Sequence, residues 1–237
     1  MGTVYRLTLR QLSGRWRLTI MTVLAAMPVA IAVLMLRSNS APTVQQFETA
    51  ILSAMLAGSI APLIVLAIGA PAFGNEVEDK TLANLVLSPL SRSQIALPKL
   101  LATFTIAAPF MTASAFATSY VAFLGDTTAT IAVTVAAVVG VAMYASAFVW
   151  LGLVSTQGIG IGLLYIVLWE GLFSGFVSGV RLLSIRHYSI ALMHGLDERR
   201  FAFSNHLNFT ATLIIAALVV GGFALLSVRR LRRMDVP

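Results

Sequence analysis

The sequence predicts an all-α integral membrane protein with six transmembrane helices, and three observations carry that prediction. Of 237 residues, 58% are hydrophobic and only 11% charged, where a soluble domain carries roughly a quarter. The mean hydropathy is +0.90. The charges fall in short clusters between six apolar runs, 18–36, 49–73, 97–124, 129–154, 158–179 and 209–228. Each run matches the ~20 residues that a helix needs to cross ~30 Å of hydrocarbon. Composition therefore excludes soluble enzymes and nucleic-acid-binding domains. The net charge of +7 fits loops facing an anionic leaflet better than a nucleic-acid partner. Pro28, Pro62, Pro71 and Pro109 lie inside these runs, where neighbouring helices can re-satisfy the carbonyls that proline frees.

The chain has no cysteine, which excludes disulfides, iron–sulfur ligation and thiol nucleophiles. It has no Gly-rich phosphate loop ending in Lys-Ser or Lys-Thr, so any ATP is expected to be hydrolysed by a partner. The opening MGTVYRLTLR reads as neither a cleaved signal nor a myristoylation site.

Residues 1–17 predict an interfacial elbow helix. Tyr5, Leu9, Leu12 and Trp16 share one helical face, with Arg6, Arg10 and Arg17 on a stripe about 100° away. Arginines there can reach lipid phosphates while Trp16 sits at headgroup depth. Sorting Lys and Arg among the loops then orients the chain. The side holding the termini collects eleven, including Lys80, Arg92, Lys99 and the cluster Arg229, Arg230, Arg232 and Arg233, against five on the other. By the positive-inside tendency both termini are cytoplasmic.

Two connecting segments are long. Residues 74–96 form the cytoplasmic one. Glu76, Glu78 and Asp79 precede Leu82, Leu85 and Val86 at helical spacing, which predicts a short amphipathic helix with acids complementing its N-terminus and Ser88-Pro89 ending it. Ser91 and Gln94 form a capping box for the third span. The order of an acidic residue, Thr81-Leu82-x-x-Leu85, Ser88-Pro89-Leu90-Ser91-Arg92 and then Lys99 resembles the type-2 ABC exporter permease family. The resemblance covers Glu76 to Lys99 closely and extends to the rest through the six-span plan, so the whole of 1–237 reads as one permease domain. It implies that two permease copies, identical or paralogous, form the translocation pathway. It also implies that the helix bearing Glu76, Glu78, Asp79, Lys80, Thr81, Leu82, Leu85, Val86, Pro89, Ser91 and Arg92 couples to a separate ATPase subunit, which binds ATP and Mg while the permease carries no cofactor. A prokaryotic plasma membrane and lipid contacts are implied likewise. Many members have Gly before Thr-Leu where this chain has Lys80. A non-transporting membrane scaffold or assembly subunit is the alternative.

Residues 180–208 form the external segment, mixing apolar residues with Arg181, Arg186, His187, His194, Asp197, Glu198, Arg199 and Arg200. In the resembling family this link re-enters the membrane as short helices at the outer mouth, which implies a gate. His187, His194 and His206 lack metal-ligand spacing, and the Asn208-Phe-Thr210 sequon reads as accidental. In the fifth span Gly171, Gly175 and Gly179 form a small-residue ridge suited to close helix approach. Glu170 beside it either lines a polar cavity or hydrogen-bonds a Ser, Thr or Tyr of a neighbouring helix. Ser174 and Ser178, each between glycines, raise an intramembrane hydrolase as a remote alternative, although no histidine falls inside another span.

Overall fold

The structure is a computed structural model that describes residues 2–37, 43–81, 90–173, 183–201 and 208–233. Among these residues it is all helical. Helix α1 spans Gly2–Leu12 and α2 spans Arg15–Arg37. Helix α3 spans Val44–Glu78, α4 Arg92–Ala122 and α5 Thr127–Val154. Helix α6 begins as Gly158–Leu164 and continues as Tyr165–Phe173. Helices α7, Ile185–Leu196, and α8, Phe209–Arg232, follow. Five helices among the described residues are long and apolar enough to cross a membrane: α2, α3, α4, α5 and α8. The expected fifth span, 158–179, is described only to Phe173, and that apolar stretch is shorter than the other five.

Helix α5 is the centre of the bundle, touching α3, α4, α6, α7 and α8. Its buried residues include Ala129, Ala132, Val133, Ala136 and Gly140, spaced three or four apart so that they share one face. Small residues suit a membrane core, where close packing rather than water exclusion drives helix association. The tightest crossing is at Gly152, where a Cβ would lie 2.0 Å from the Ala70 carbonyl oxygen of α3. A second lies at Gly162 of α6, where a Cβ would meet Leu66 Cδ1 at 2.2 Å.

Several expected boundaries are corrected. The elbow helix ends at Leu12, and Ser13-Gly14 separates it from α2. Trp16 therefore belongs to α2, is 77% exposed and does not share the α1 face. That face instead buries Val4, Thr8 and Leu12 against α4, and the Tyr5 hydroxyl donates to Thr105 Oγ1 at 3.0 Å. Arg6 and Arg10 are exposed and Arg17 is half-buried. Glu76 and Glu78 do not open a new helix. They lie in the last turn of α3, with Asp79 as its C-cap, because the apolar run before them keeps the helix going to Glu78.

Both ladders that carry a buried carboxylate widen to i→i−5 bonding. Glu48–Ile60 of α3 and Tyr165–Phe173 of α6 are π-helical, and they pack against each other. π-Helical turns recur at functional sites in proteins.

Candidate functional site

Two polar assemblies stand out, one at the corner between α3 and α4 and one along α7, which runs from the middle of the bundle to its other end. At one, the α3 helix terminates in a Schellman turn. The Thr81 N–H donates to Glu76 O at 3.0 Å and the Lys80 N–H to Val77 O at 3.4 Å, the paired bonds of that motif. Lys80 occupies its left-handed position with φ of 57°, a conformation that glycine adopts without strain. This accounts for the glycine preference at the position where this chain has Lys80.

Across the turn, Ser91 caps α4. Its hydroxyl accepts from Gln94 N at 3.4 Å and the Gln94 side chain accepts from Ser91 N at 3.1 Å, which is the expected capping box. The cap starts α4 at Arg92, five residues before the predicted span. Lys99 thus falls two turns into the helix, and it is 1% exposed. Its ammonium donates to Glu76 Oε1 at 2.5 Å and to the Ala72 carbonyl, and it lies 4.6 Å from the Phe73 ring centroid. The pair ties the end of α3 to the start of α4. Leu82, Leu85, Val86 and Pro89 of the expected coupling helix lie outside the described residues, as do Ser88, Ser174, Ser178, Gly175, Gly179 and His206. Gly171 is exposed, and a Cβ there would meet only its own helix's Ile166 carbonyl at 3.6 Å. Among the described residues the tightest glycine contacts are at Gly152 and Gly162, followed by Gly140 against Ser189.

In the other, α7 is held at both termini by carboxylates from the two π-helical segments. Glu170 is fully buried. Its Oε1 accepts from the Tyr144 hydroxyl at 3.0 Å, the Tyr165 hydroxyl at 2.8 Å and Ile185 N at 3.0 Å, and its Oε2 accepts from the Ser184 hydroxyl at 2.5 Å. Arg186 N approaches Oε1 at 3.5 Å. An acceptor-only carboxylate thus meets a ring of donors at the N-terminus of α7, the end at which backbone N–H groups favour negative charge. Hydrogen bonding to Ser and Tyr side chains is one of the two roles that the sequence left open for this residue. Ser184 is also the N-cap, accepting from His187 N at 3.2 Å. The Arg186 guanidinium reaches two more elements: Nε and Nη2 donate to Ser53 Oγ at 3.0 and 2.8 Å, and Nη1 to Glu170 O at 3.1 Å.

In the last turn of α7, His194 Nε2 lies 2.5 Å from Glu48 Oε1. The His194 ring stacks on Phe201, which meets Phe123 edge-on, and Phe123 in turn meets Phe47. Arg200 lies over the Phe123 ring and pairs with Asp126. Asp126 also caps α5, accepting from Thr128 N at 3.1 Å and Ala129 N at 3.4 Å. The backbone bond from Ala129, then the Arg200 charge and the Thr128 bond, hold its carboxyl below the usual range against partial burial. Beneath α7 the packing leaves a void of about 20 Å³ beside Tyr144 and Ser189. Asn208 of the sequon caps α8 by accepting from Thr210 N at 3.3 Å. Among the described residues no three His, Asp or Glu side chains gather as a metal-binding set.

Sequence reasoning missed Glu48, His194 and Ser53 as partners, and it used Lys99 as a topological charge and a motif residue without its pairing to Glu76. Glu48 had one signal, a carboxylate at the border of an apolar run.

A bundle with five helices long and apolar enough to span a membrane, packed on a central helix lined by small residues, is a polytopic membrane protein. The chain belongs to the ABC-2 family of transporter proteins, whose model matches residues 9–186, about three quarters of the sequence. It is a membrane-embedded permease component of an ABC transporter, and its family implies an ABC ATPase partner. No curated protein matches the chain.

Proposed function

We propose that this permease works as a dimer in an exporter, with two separate ATPase subunits that bind ATP and Mg and dock at the corner between α3 and α4. The observation that carries the reading is the anchoring of both ends of that corner. The Schellman turn at Lys80, the Ser91–Gln94 box and the Lys99–Glu76 pair fix where the intervening residues leave and rejoin the bundle. Because α3 ends and α4 begins at these fixed points, a push delivered there by a docked subunit passes directly into both helices. Leu82, Leu85 and Val86 supply the apolar face for the partner's groove. The orientation follows the Lys and Arg distribution, with both termini cytoplasmic in the plasma membrane. Helix α7, re-entering the outer leaflet, acts as the external gate, and the permease performs no covalent chemistry of its own.

The test is to replace Leu82 and Leu85 by Asp and to co-purify the permease with its ATPase. The double variant should lose the ATPase, or its transport-coupled hydrolysis, while still inserting in membranes. An intact complex with unchanged coupled hydrolysis would overturn the docking assignment. A scaffold role would instead predict that loss of the ATPase leaves every measurable property of the permease assembly intact.

A further inference from the structure

Two cavities on the flank of α8 share one side chain, Trp150. The first, about 360 Å³, lies between α5, α6, α7 and α8, with Phe148, Trp150, Tyr165, Tyr188, Val219 and Phe223 on its walls, and it is overwhelmingly apolar. The second, also about 360 Å³, lies at the far ends of α5 and α8, bounded by Trp150, Val154, Leu226, Arg229, Arg230 and Arg233. The Trp150 and Phe223 rings, 5.5 Å apart, stand where the two meet. Along α8 the apolar cleft runs from Ile215 to Phe223, about 12 Å at 1.5 Å per residue, and the arginines begin six residues further on.

We propose that these two adjoining cavities together bind one anionic phospholipid, with its phosphate among Arg229, Arg230 and Arg233 and an acyl chain along Val219, Phe223 and Phe148. Charge complementarity selects the occupant. Three of the four arginines that end α8 line the pocket, and none of the three has an acidic partner among the described residues. A positive-inside flank needs only positive charge near the membrane. It does not need that charge to converge on a cavity that adjoins an apolar one across Trp150. Basic pockets between spanning helices are known to hold anionic headgroups, and an aromatic ring at the junction suits the boundary between headgroup and acyl chain.

The reporter is Trp150 itself. In a background carrying Trp16→Phe and Trp169→Phe it is the only tryptophan left of three. The purified permease, reconstituted in nanodiscs of mixed lipid, is titrated with phosphatidylglycerol or phosphatidylcholine brominated on the acyl chains, and quenching of Trp150 is read. Brominated phosphatidylglycerol should quench at a mole fraction about tenfold lower than brominated phosphatidylcholine. Arg229→Gln, Arg230→Gln and Arg233→Gln together should erase that preference while leaving quenching itself, and Arg230→Gln alone should reduce it in the same direction. Val219→Phe, which fills the cleft, should weaken quenching by both lipids. Equal quenching by the two lipids overturns the proposal. So does absence of quenching by either, which would place a protein surface such as a second copy over the cleft. Loss of the preference on adding inorganic phosphate at matched ionic strength also overturns it, because the pocket would then be an anion site with no acyl chain.

Discussion

Replacing Glu170 tests the hub at the start of α7, and the structure sets the size of the effect. The carboxylate accepts from three hydroxyls and from the Ile185 N–H at 3.0 Å or less, with the Arg186 N–H at 3.5 Å. Glu170→Gln keeps the shape and one acceptor oxygen, which can still serve the donors grouped on Oε1. The new amide N–H₂, however, faces the Ser184 hydroxyl. Ser184 can accept from it beside His187 N, but its own proton is then stranded, because the carboxylate oxygen that received it is gone. Hydrogen bonds to a charged group are worth about 1.5–3 kcal/mol and neutral ones about 0.5–1.5. Weakening the set and orphaning one donor should therefore cost about 2–4 kcal/mol. Glu170→Leu leaves all the donors without their acceptor at about 1–3 kcal/mol for each buried group, which exceeds the lower end of the 5–15 kcal/mol by which proteins are typically stable. The assay is the fraction of protein that remains monodisperse on size exclusion after heating in detergent. Gln should lower the midpoint by several degrees and Leu should abolish recovery of folded protein. A Leu variant with a midpoint within a degree or two of the parent would refute the reasoning, because the ring of donors would then contribute nothing.

Four further outcomes are expected. Lys80→Gly should raise thermal stability by about 1 kcal/mol by relieving the left-handed backbone, read as an upward midpoint shift with ATPase coupling retained. Lys99→Ala should destabilise by about 3 kcal/mol by stranding Glu76 beside a buried void, and the double variant Lys99→Met with Glu76→Gln should recover part of the loss in the same heating assay. Gly152→Leu should prevent assembly, because its first side-chain atom already overlaps the Ala70 carbonyl; a well-expressed, monodisperse Leu variant would show that α3 and α5 can separate there. For Asp126, whose carboxyl is held below its usual value of 3.8, the favourable contribution is complete above that value and is lost as pH falls through the lower folded one. The stability difference between the parent and Asp126→Asn should thus be flat from pH 5 to 8 and shrink below about pH 4.

How much could be read in the chain itself differs by the range of the interaction. The apolar runs give five long helices because length and composition act locally, and Ser91 with Gln94 announces a helix start through a bond three residues long. Glu76 and Glu78 misled because acids near a boundary signal an N-terminus as a rule. Here one of them is paired with Lys99, 23 residues on, and that partner is invisible to any local window. The hub at Glu170 was legible as a question only: an intramembrane carboxylate announces a need, but its donors come from two other stretches of chain as well as from its own helix. The bond from Arg186 to Ser53 crosses 133 positions. The π-helical ladders have no periodicity signature in so uniformly apolar a sequence. Gly152 was passed over because a lone glycine shows no ridge, whereas Gly171, Gly175 and Gly179 do.

The two clamps on α7 also close at different times during synthesis. Glu170 meets Ser184 and Ile185 within 15 residues and Tyr144 lies behind it, so at about 5–20 residues per second the first clamp can form within about three seconds of Glu170 leaving the ribosome. Glu48 must wait for His194, 146 residues later, which is on the order of seven to thirty seconds at the same speeds. Throughout that interval Glu48 of α3 lacks this partner, while four further helices are threaded past it. The Glu48 clamp is therefore sealed after the Glu170 clamp, and a chain stopped short of residue 194 would have α7 fastened at its beginning and loose at its end.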